Sequence, residues 1–300
     1  MSKVFITGAN GLLGQALVET LKDVSVVVAS GVEAEHFCPV DGVEYLQLDI
    51  TRAANCNDVV KNLRPDFIIN SASFTHVDAC EEQRELCWNI NVKGVENLAR
   101  VARKIGTHLI HYSTDYVFNG TDGPYSEGDY CEPVGYYGRS KLASENVIRQ
   151  IGCAGTIVRT CVLYGTGKRV KQNFFLWVLN NLQAGNKITV VTDQFNNPTL
   201  VEDLAVGTQK ILETSWKGTI HLAGADYLNR YDFARAIASV FALPEDLIVP
   251  ITSDRLAQKA PRPPRGGLKI DLAKEILDFD PKTVNEALTY LKWKLNRNER

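Results

Sequence analysis

The chain begins with a short apolar run, KVFITG (residues 3–8), and then changes period. In LLGQALVETLK (12–22) the apolar positions recur every three or four residues, the spacing of a helix with one buried face. The two patterns then alternate. VSVVVAS (24–30), VEYLQLDI (43–50), PDFIINSAS (65–73), THLIHYST (107–114) and AGTIVRT (154–160) predict strands. AANCNDVVKNLR (53–64), the long stretch 79–106 and the segment after Tyr136 predict helices. Strands that read as unbroken apolar runs are covered by helices on both faces. The first 160 or so residues therefore predict an α/β architecture, a Rossmann-type doubly wound parallel sheet.

Past about residue 165 the rhythm changes. VKQNFFLWVLNNLQAG (170–185) predicts a helix closed by Gly185, and TLVEDLAVGTQKILE (199–213) predicts another. GTIHLAG (218–224) reads as a late strand, and RYDFARAIASVFAL (230–243) and TVNEALTYLKWKL (283–295) as amphipathic helices. Between them KAPRPPRGGLK (259–269) is too rich in proline and glycine for regular structure. These patterns predict a dinucleotide-binding domain of residues 1–164, joined by 196–222. A smaller, mostly helical C-terminal substrate lobe comprises residues 165–195 and 223–300.

Composition narrows the class without naming a chemistry. With 45% hydrophobic and 23% charged residues over 300 positions, the chain is an ordinary globular one. A net charge of −2 supplies no reason to expect nucleic acid or an anionic membrane as partner. No apolar run reaches the roughly 18 residues of a transmembrane helix, and the apolar run starting at residue 3 leaves no room for a signal peptide. The seven cysteines are scattered and form no C-x-x-C pair, so neither a disulfide framework nor a metal site is expected, and a reducing cytoplasm is the simplest location. Cys80 and Cys87 read as small buried hydrophobes.

Two local patterns carry chemistry. TGANGLLG places Gly8, Gly11 and Gly14 between the first strand and the first helix. Glycines there let the backbone approach a pyrophosphate, and a helix N-terminus offers free N–H groups and a positive dipole. The second strand ends in Ser30 and Gly31, with neither the acid that favours NAD nor the arginine that favours NADP. Glu33 and Glu35 follow as surface candidates, and Asp49 suits either an adenine contact or the capping of the next turn. The coenzyme is left as NADPH or NADH.

The second pattern starts in HYSTDYVFNG, where the fifth predicted strand ends with Ser113, Thr114, Asp115 and Tyr116. Some twenty residues later YYGRSK brings Tyr137 four positions ahead of Lys141, on one face of a helix. A free phenol titrates near pH 10, and an ammonium beside it favours its release. A hydroxyl, a tyrosine and a lysine beside a dinucleotide loop form a constellation for interconverting ketones and alcohols.

These segments resemble those of an extended short-chain dehydrogenase/reductase, and within that group the dTDP-4-dehydrorhamnose reductase family. The resemblance runs through TGANGLLGQAL, NSASFTHVDACEEQRELCWNIN, STDYVFNG, YYGRSKLASE, RTCVLYG, VVTDQFNNPTLVEDLA, GTIHLAG and RPPRGGL, nearly the whole chain. It implies hydride transfer from NAD(P)H to C4 of a nucleotide-bound 4-keto-6-deoxy sugar. Tyr137 would donate the proton, Lys141 would hold the nicotinamide ribose, and Thr114 would orient the carbonyl. It implies coenzyme contacts from Gly8, Asn10, Gly11, Leu12, Leu13, Ser30, Asp49, Ile50, Ser71, Ala72 and Ser73, besides Tyr137 and Lys141. Substrate contacts would come from Thr75, Val77, Thr114, Asp115, Tyr137, Gln194, Asn196, Arg262 and Arg265, the arginines suiting a diphosphate.

Two positions depart from the family: Val162 stands where a tryptophan is usual, and Gly266 where a serine is often found. The same family includes the NADP-binding regulatory subunit of methionine adenosyltransferase, and related reductases and epimerases act on other nucleotide sugars. Oligomeric state is left open by the sequence, a homodimer included.

Overall fold

The computed structural model describes residues 1–298. The first half contains β1 (Lys3–Thr7), α1 (Leu12–Leu21), β2 (Val26–Gly31), β3 (Glu44–Gln47), α2 (Ala53–Leu63), β4 (Phe67–Asn70), α3 (Val77–Glu82), α4 (Arg84–Trp88), α5 (Gly94–Ile105), β5 (His108–Thr114) and α6 (Tyr136–Ile151). Then follow β6 (Gly155–Thr160), β7 (Leu163–Tyr164), α7 (Phe174–Gln183), β8 (Ile188–Val191), β9 (Phe195–Asn196), β10 (Thr199–Leu200), α8 (Val201–Thr214) and β11 (Gly218–His221). The chain ends with β12 (Leu228–Asn229), α9 (Arg230–Phe241), β13 (Ile248–Ile251), α10 (Asp271–Leu277) and α11 (Val284–Asn298).

Seven parallel strands form the central sheet in the order β11-β6-β5-β4-β1-β2-β3. Alternation along each strand sorts its side chains onto two faces. Val4, Ile6, Ile69, Ile110 and Val158 point to one side, where Leu13 and Leu17 of α1 and Leu204 and Ile211 of α8 cover them. Phe5, Val28, Ile68, Leu109 and Ile157 point to the other, under Val60 of α2 and Leu98 and Ala102 of α5. Both faces are dry, which is why these strands lack the polar alternation of a half-exposed sheet. The chain switches direction between β1 and β4, and at such a point the carboxyl ends of open α/β sheets bind ligands.

A second core lies among α7, α9 and α11, built from Phe175, Leu179, Phe233, Ile237, Leu288 and Leu291. Three two-stranded ribbons (β7–β10, β8–β13 and β9–β12) stitch this lobe together and were not expected. The stretch 79–106 is broken rather than continuous. Gln83 leaves the helical region (φ −114°, ψ 54°) between α3 and α4, and residues Asn89–Lys93 form a π-helical segment before α5. After the 260s loop the chain returns to the sheet, where Leu268, Ile270, Ala273, Leu277 and Phe279 join the first core. Among the described residues no helix is long and apolar enough to cross a membrane.

Candidate active site

The glycine loop joins β1 to α1. Gly8 has φ +71°, and a Cβ there would lie 2.6 Å from the Ala72 nitrogen; one on Gly14 would lie 2.2 Å from the Gly8 oxygen. Both positions exclude a side chain because backbones meet there. Ser71 Oγ donates to the Thr7 oxygen at 2.6 Å, closing β4 onto β1. Gly11 begins α1 and offers no side-chain cap, so the first turn, including Leu12 and Leu13, presents backbone N–H groups outward. A close-packed backbone cradle at a helix N-terminus fits a dinucleotide's pyrophosphate.

Other residues expected at the coenzyme have protein partners. Ser30 is fully buried and donates to the Ile6 oxygen at 3.1 Å, so its hydroxyl faces the sheet interior. Asp49 accepts from the Thr51 nitrogen at 2.9 Å and its hydroxyl at 2.7 Å, both at Oδ1, and so caps the turn. Ile50 is core, packed against Gly94. Asn10 is buried; its amide donates to Glu33 Oε2 at 2.9 Å and its oxygen accepts from the Phe37 nitrogen at 2.8 Å. Ser73 Oγ donates to Asn91 Oδ1 at 2.9 Å.

Asn91 was not singled out in the sequence. It sits buried in the π-helical segment, accepting from the Phe74 nitrogen at 2.8 Å and donating to the Phe74 oxygen at 3.1 Å and to Ser140 Oγ at 3.0 Å. It thereby ties the loop after β4 to helix α6, and the extra residue of the π turn aims it there. Cys80 and Cys87, both fully buried, pack beside it.

Helix α6 carries Tyr137 and Lys141. A buried, directional chain of hydrogen bonds sets its position against the strand ends. Thr7 Oγ1 donates to Asn70 Oδ1 (2.7 Å), and the Asn70 amide meets His111 Nδ1 (3.1 Å). His111 Nε2 meets Ser144 Oγ (2.9 Å), and Ser144 donates to the Lys141 carbonyl (2.6 Å). This pattern assigns His111 as a neutral ring protonated on Nε2. Burial, with the Lys141 ammonium, holds its pKa well below the ordinary value. From the far side, Arg159 grips the fully buried Glu145 of α6 through two bonds of 2.9 and 2.8 Å.

Tyr137 is half-buried, with the Tyr116 ring set edge-on against it at 5.9 Å. Burial raises its pKa well above 10, with the charges of Cys80 and Asp115 acting in the same direction and the nearby Thr114 hydroxyl opposing them. The lysine-driven lowering expected from sequence is therefore not what the protein groups produce; desolvation outweighs it. Lys141 is buried too, and desolvation brings its pKa down to about 8, so it stays mostly charged near neutrality. Among the described residues no hydrogen bond from Lys141 Nζ to a protein group forms, leaving a buried donor for a ligand hydroxyl. Tyr136 faces elsewhere, under the Arg84 guanidinium at 5.2 Å, with its backbone nitrogen donating to Glu81 Oε1.

Asp115 follows Thr114 into the site. Its carboxylate accepts from Thr114 Oγ1 and the Gly267 nitrogen, each at 3.2 Å, and burial pushes its pKa up to about 6. A Cβ on Gly266 would lie 2.6 Å from Asp115 Oδ2, so a serine there requires the carboxylate to move. Arg230, also not singled out in the sequence, has its guanidinium carbon 4.9 Å from the Phe174 ring centre and draws down the pKa values of Asp115 and Tyr116 against burial. Val162 occupies the left-handed region (φ +44°), uncommon for a β-branched residue, at the turn from β6 to β7.

On the substrate side Thr75 is exposed and Val77 opens α3. Arg262 has its Nη1/Nη2 edge on Asp78, at 3.0 and 2.8 Å, so that edge is engaged within the protein. Arg265 is exposed, its backbone pinned to the Gly120 oxygen at 2.9 Å. Gln194 is buried with its amide on Ser253 and Gln258, each at 2.9 Å. Asn196 is buried with its Oδ1 unpartnered among the described residues.

A seven-stranded doubly wound sheet, a glycine cradle and a strand-end threonine beside a Tyr-x-x-x-Lys helix define an extended short-chain dehydrogenase/reductase. The family model described as "RmlD substrate binding domain" matches residues 2–297. A crystal structure of dTDP-4-dehydrorhamnose reductase from Bacillus anthracis, in complex with NADP, superposes with a TM-score of 0.88 at 30% identity, covering 98% of this chain and 99% of that one. The chain belongs to the dTDP-4-dehydrorhamnose reductase family. It is 33% identical over 290 residues to a probable low-salt glycan biosynthesis reductase of Haloferax volcanii, covering 96% of each chain. It is also 31% identical over 256 residues to the β subunit of methionine adenosyltransferase 2 from Rattus norvegicus, covering 83% of this chain and 75% of that one.

Proposed function

We propose that this chain is an NAD(P)H-dependent oxidoreductase that reduces the C4 ketone of a nucleotide-activated 4-keto-6-deoxy sugar. The first substrate to test is dTDP-4-dehydrorhamnose, with dTDP-rhamnose as product. The observation that carries this reading is Tyr137: a phenol kept protonated by burial, set edge-on to Tyr116 beyond the strand end, on the helix that holds a buried Lys141 whose Nζ has no protein partner among the described residues.

When bound, a reduced nicotinamide supplies the hydride. The protein groups do the rest. Thr114 and Tyr137 hold the carbonyl oxygen in line, and the Tyr137 hydroxyl gives its proton to that oxygen as negative charge develops. A donor must begin protonated, so a raised pKa suits reduction. Lys141 Nζ holds a ribose hydroxyl, and its positive charge favours the phenolate left behind. Residues 1–164 with 196–222 would bind the coenzyme, and the lobe of 165–195 and 223–300 the sugar nucleotide. Arg265 is the exposed guanidinium available for a diphosphate, whereas Arg262 orders the loop through Asp78.

The test is to mix the protein with NADPH or NADH and a dTDP-4-keto-6-deoxy sugar and follow the nicotinamide absorbance band. Stoichiometric loss with a reduced sugar product supports the reading. An epimerase would give a new sugar with no net loss of absorbance. The likeness to a methionine adenosyltransferase β subunit favours a second reading, an NADP-binding regulatory subunit without turnover. Coenzyme binding with no absorbance loss across several keto sugars would favour that role.

A further inference from the structure

The sequence shows neither acid nor arginine at the end of the second strand, but the fold brings an acid back to it. After Gly31 the chain curls so that Glu33 Oε2 accepts the Asn10 amide at 2.9 Å, and Asn10 belongs to the glycine cradle itself. Tyr45 closes the same corner: its hydroxyl lies 3.1 Å from Asn10 Nδ2 and donates to the Glu33 carbonyl at 3.0 Å. A Cβ on Gly31 would lie 2.9 Å from Glu33 Oε2 and 2.7 Å from the Tyr45 hydroxyl, so the carboxylate rests directly on the strand end. In a doubly wound sheet that corner faces the adenosine ribose, where an acid accepts from the 2′-hydroxyl and an arginine accommodates a 2′-phosphate.

Among the described residues Glu33 forms no ion pair. Arg169 bonds Glu35 Oε1 at 2.6 Å and lies over Phe37 at 5.1 Å. His36 stacks on Tyr45 at 5.0 Å, and burial lowers its pKa, so it is neutral at physiological pH. The corner therefore presents one carboxylate held by neutral donors.

We propose that Glu33 sets the coenzyme preference of this chain, favouring NADH by accepting from the adenosine 2′-hydroxyl and repelling the 2′-phosphate of NADPH. The proposal rests on the dinucleotide part of the function proposed above and is independent of which sugar is reduced.

The experiment is calorimetric titration of the full-length protein with NADH and with NADPH, without sugar, for the unaltered chain and for Glu33→Gln. Glutamine keeps the length and the acceptor toward Asn10 but removes the charge. The unaltered chain is expected to bind NADH at least tenfold more tightly than NADPH. Glu33→Gln should bring the two within about threefold, mainly by tightening NADPH, with an unchanged thermal unfolding midpoint. NADPH binding as tight as NADH to the unaltered chain would overturn the proposal, as would a ratio unmoved by Glu33→Gln. Binding of neither coenzyme would overturn the dinucleotide reading as well.

Discussion

At the scale of single residues, the site separates two adjacent tyrosines by direction. Tyr137 points toward Tyr116 and Thr114, Tyr136 toward Arg84. Tyr137→Phe is expected to lower kcat by at least about a hundredfold, the lower range for removing a positioned general acid, with coenzyme affinity within about threefold. Tyr136→Phe should keep kcat within about threefold, and equal losses from the two changes would sink the assignment. Asp115 supplies a pH test. Its folded pKa of about 6 lies above the ordinary 3.8, so folding favours its protonated form. That contribution is present below about pH 4 and is lost as pH rises through 6, a difference of about 3 kcal/mol at roughly 1.4 kcal/mol per unit. Asp115→Asn should therefore gain in melting temperature relative to the unaltered chain as pH climbs from 4 to 7.5; a difference independent of pH would contradict it.

Elements are placed here by buried polar chains as much as by apolar packing. The run from Thr7 through Asn70, His111 and Ser144 to the Lys141 carbonyl crosses β1, β4, β5 and α6 without reaching solvent. Replacing its middle member leaves the buried Asn70 amide nitrogen unpaired, at a cost of about 1–3 kcal/mol, while Ser144 keeps its bond to the Lys141 carbonyl. His111→Leu is thus expected to lower the unfolding free energy by about 1–3 kcal/mol in urea titrations. It should also depress kcat, because α6 loses its register against Thr114. Loss of less than about 1 kcal/mol would show that the chain does not hold the helix. None of this was legible in the sequence, where His111 read as one polar residue in a strand. The π-helical segment was equally hidden, since a single inserted residue leaves the apolar spacing of 79–106 almost unchanged.

Across the whole molecule, three histidines are buried: His108, His111 and His221. Burial is the main cause in each, bringing His108 down to about 4 and His221 to about 3, with His111 also held well below its usual value. A depressed histidine stays neutral in the folded state while the unfolded chain takes up a proton below about pH 6.5. Stability should then fall as pH drops from 6.5 toward 4.5, at up to about 1.4 kcal/mol per pH unit for each histidine, with Asp115 opposing one of the three. Urea midpoints measured across that range check the slope, and a flat profile would mean that the imidazoles are not held neutral. The two lobes meet through side-chain pairs of long sequence separation, among them Arg262 on Asp78 and Lys282 on Asp203.

Local interactions were readable in advance. The strand–glycine–helix junction at Gly8 to Gly14, the apolar runs of the sheet and the four-residue step from Tyr137 to Lys141 depend only on neighbours in the chain, so their period and residue types carry the information. Whatever depends on distant segments was decided by the tertiary structure. The three short ribbons of the lobe pair residues far apart in sequence, and four of their six strands are two residues long, with no period to read. Only the fold shows Asp78 on the Nη1/Nη2 edge of Arg262, and Glu33 looked like surface until the chain folded it onto Asn10. The charge state of Tyr137 was likewise beyond the sequence: residue type suggested a lysine-lowered phenol, but burial governs its proton, and burial is a property of the assembled fold.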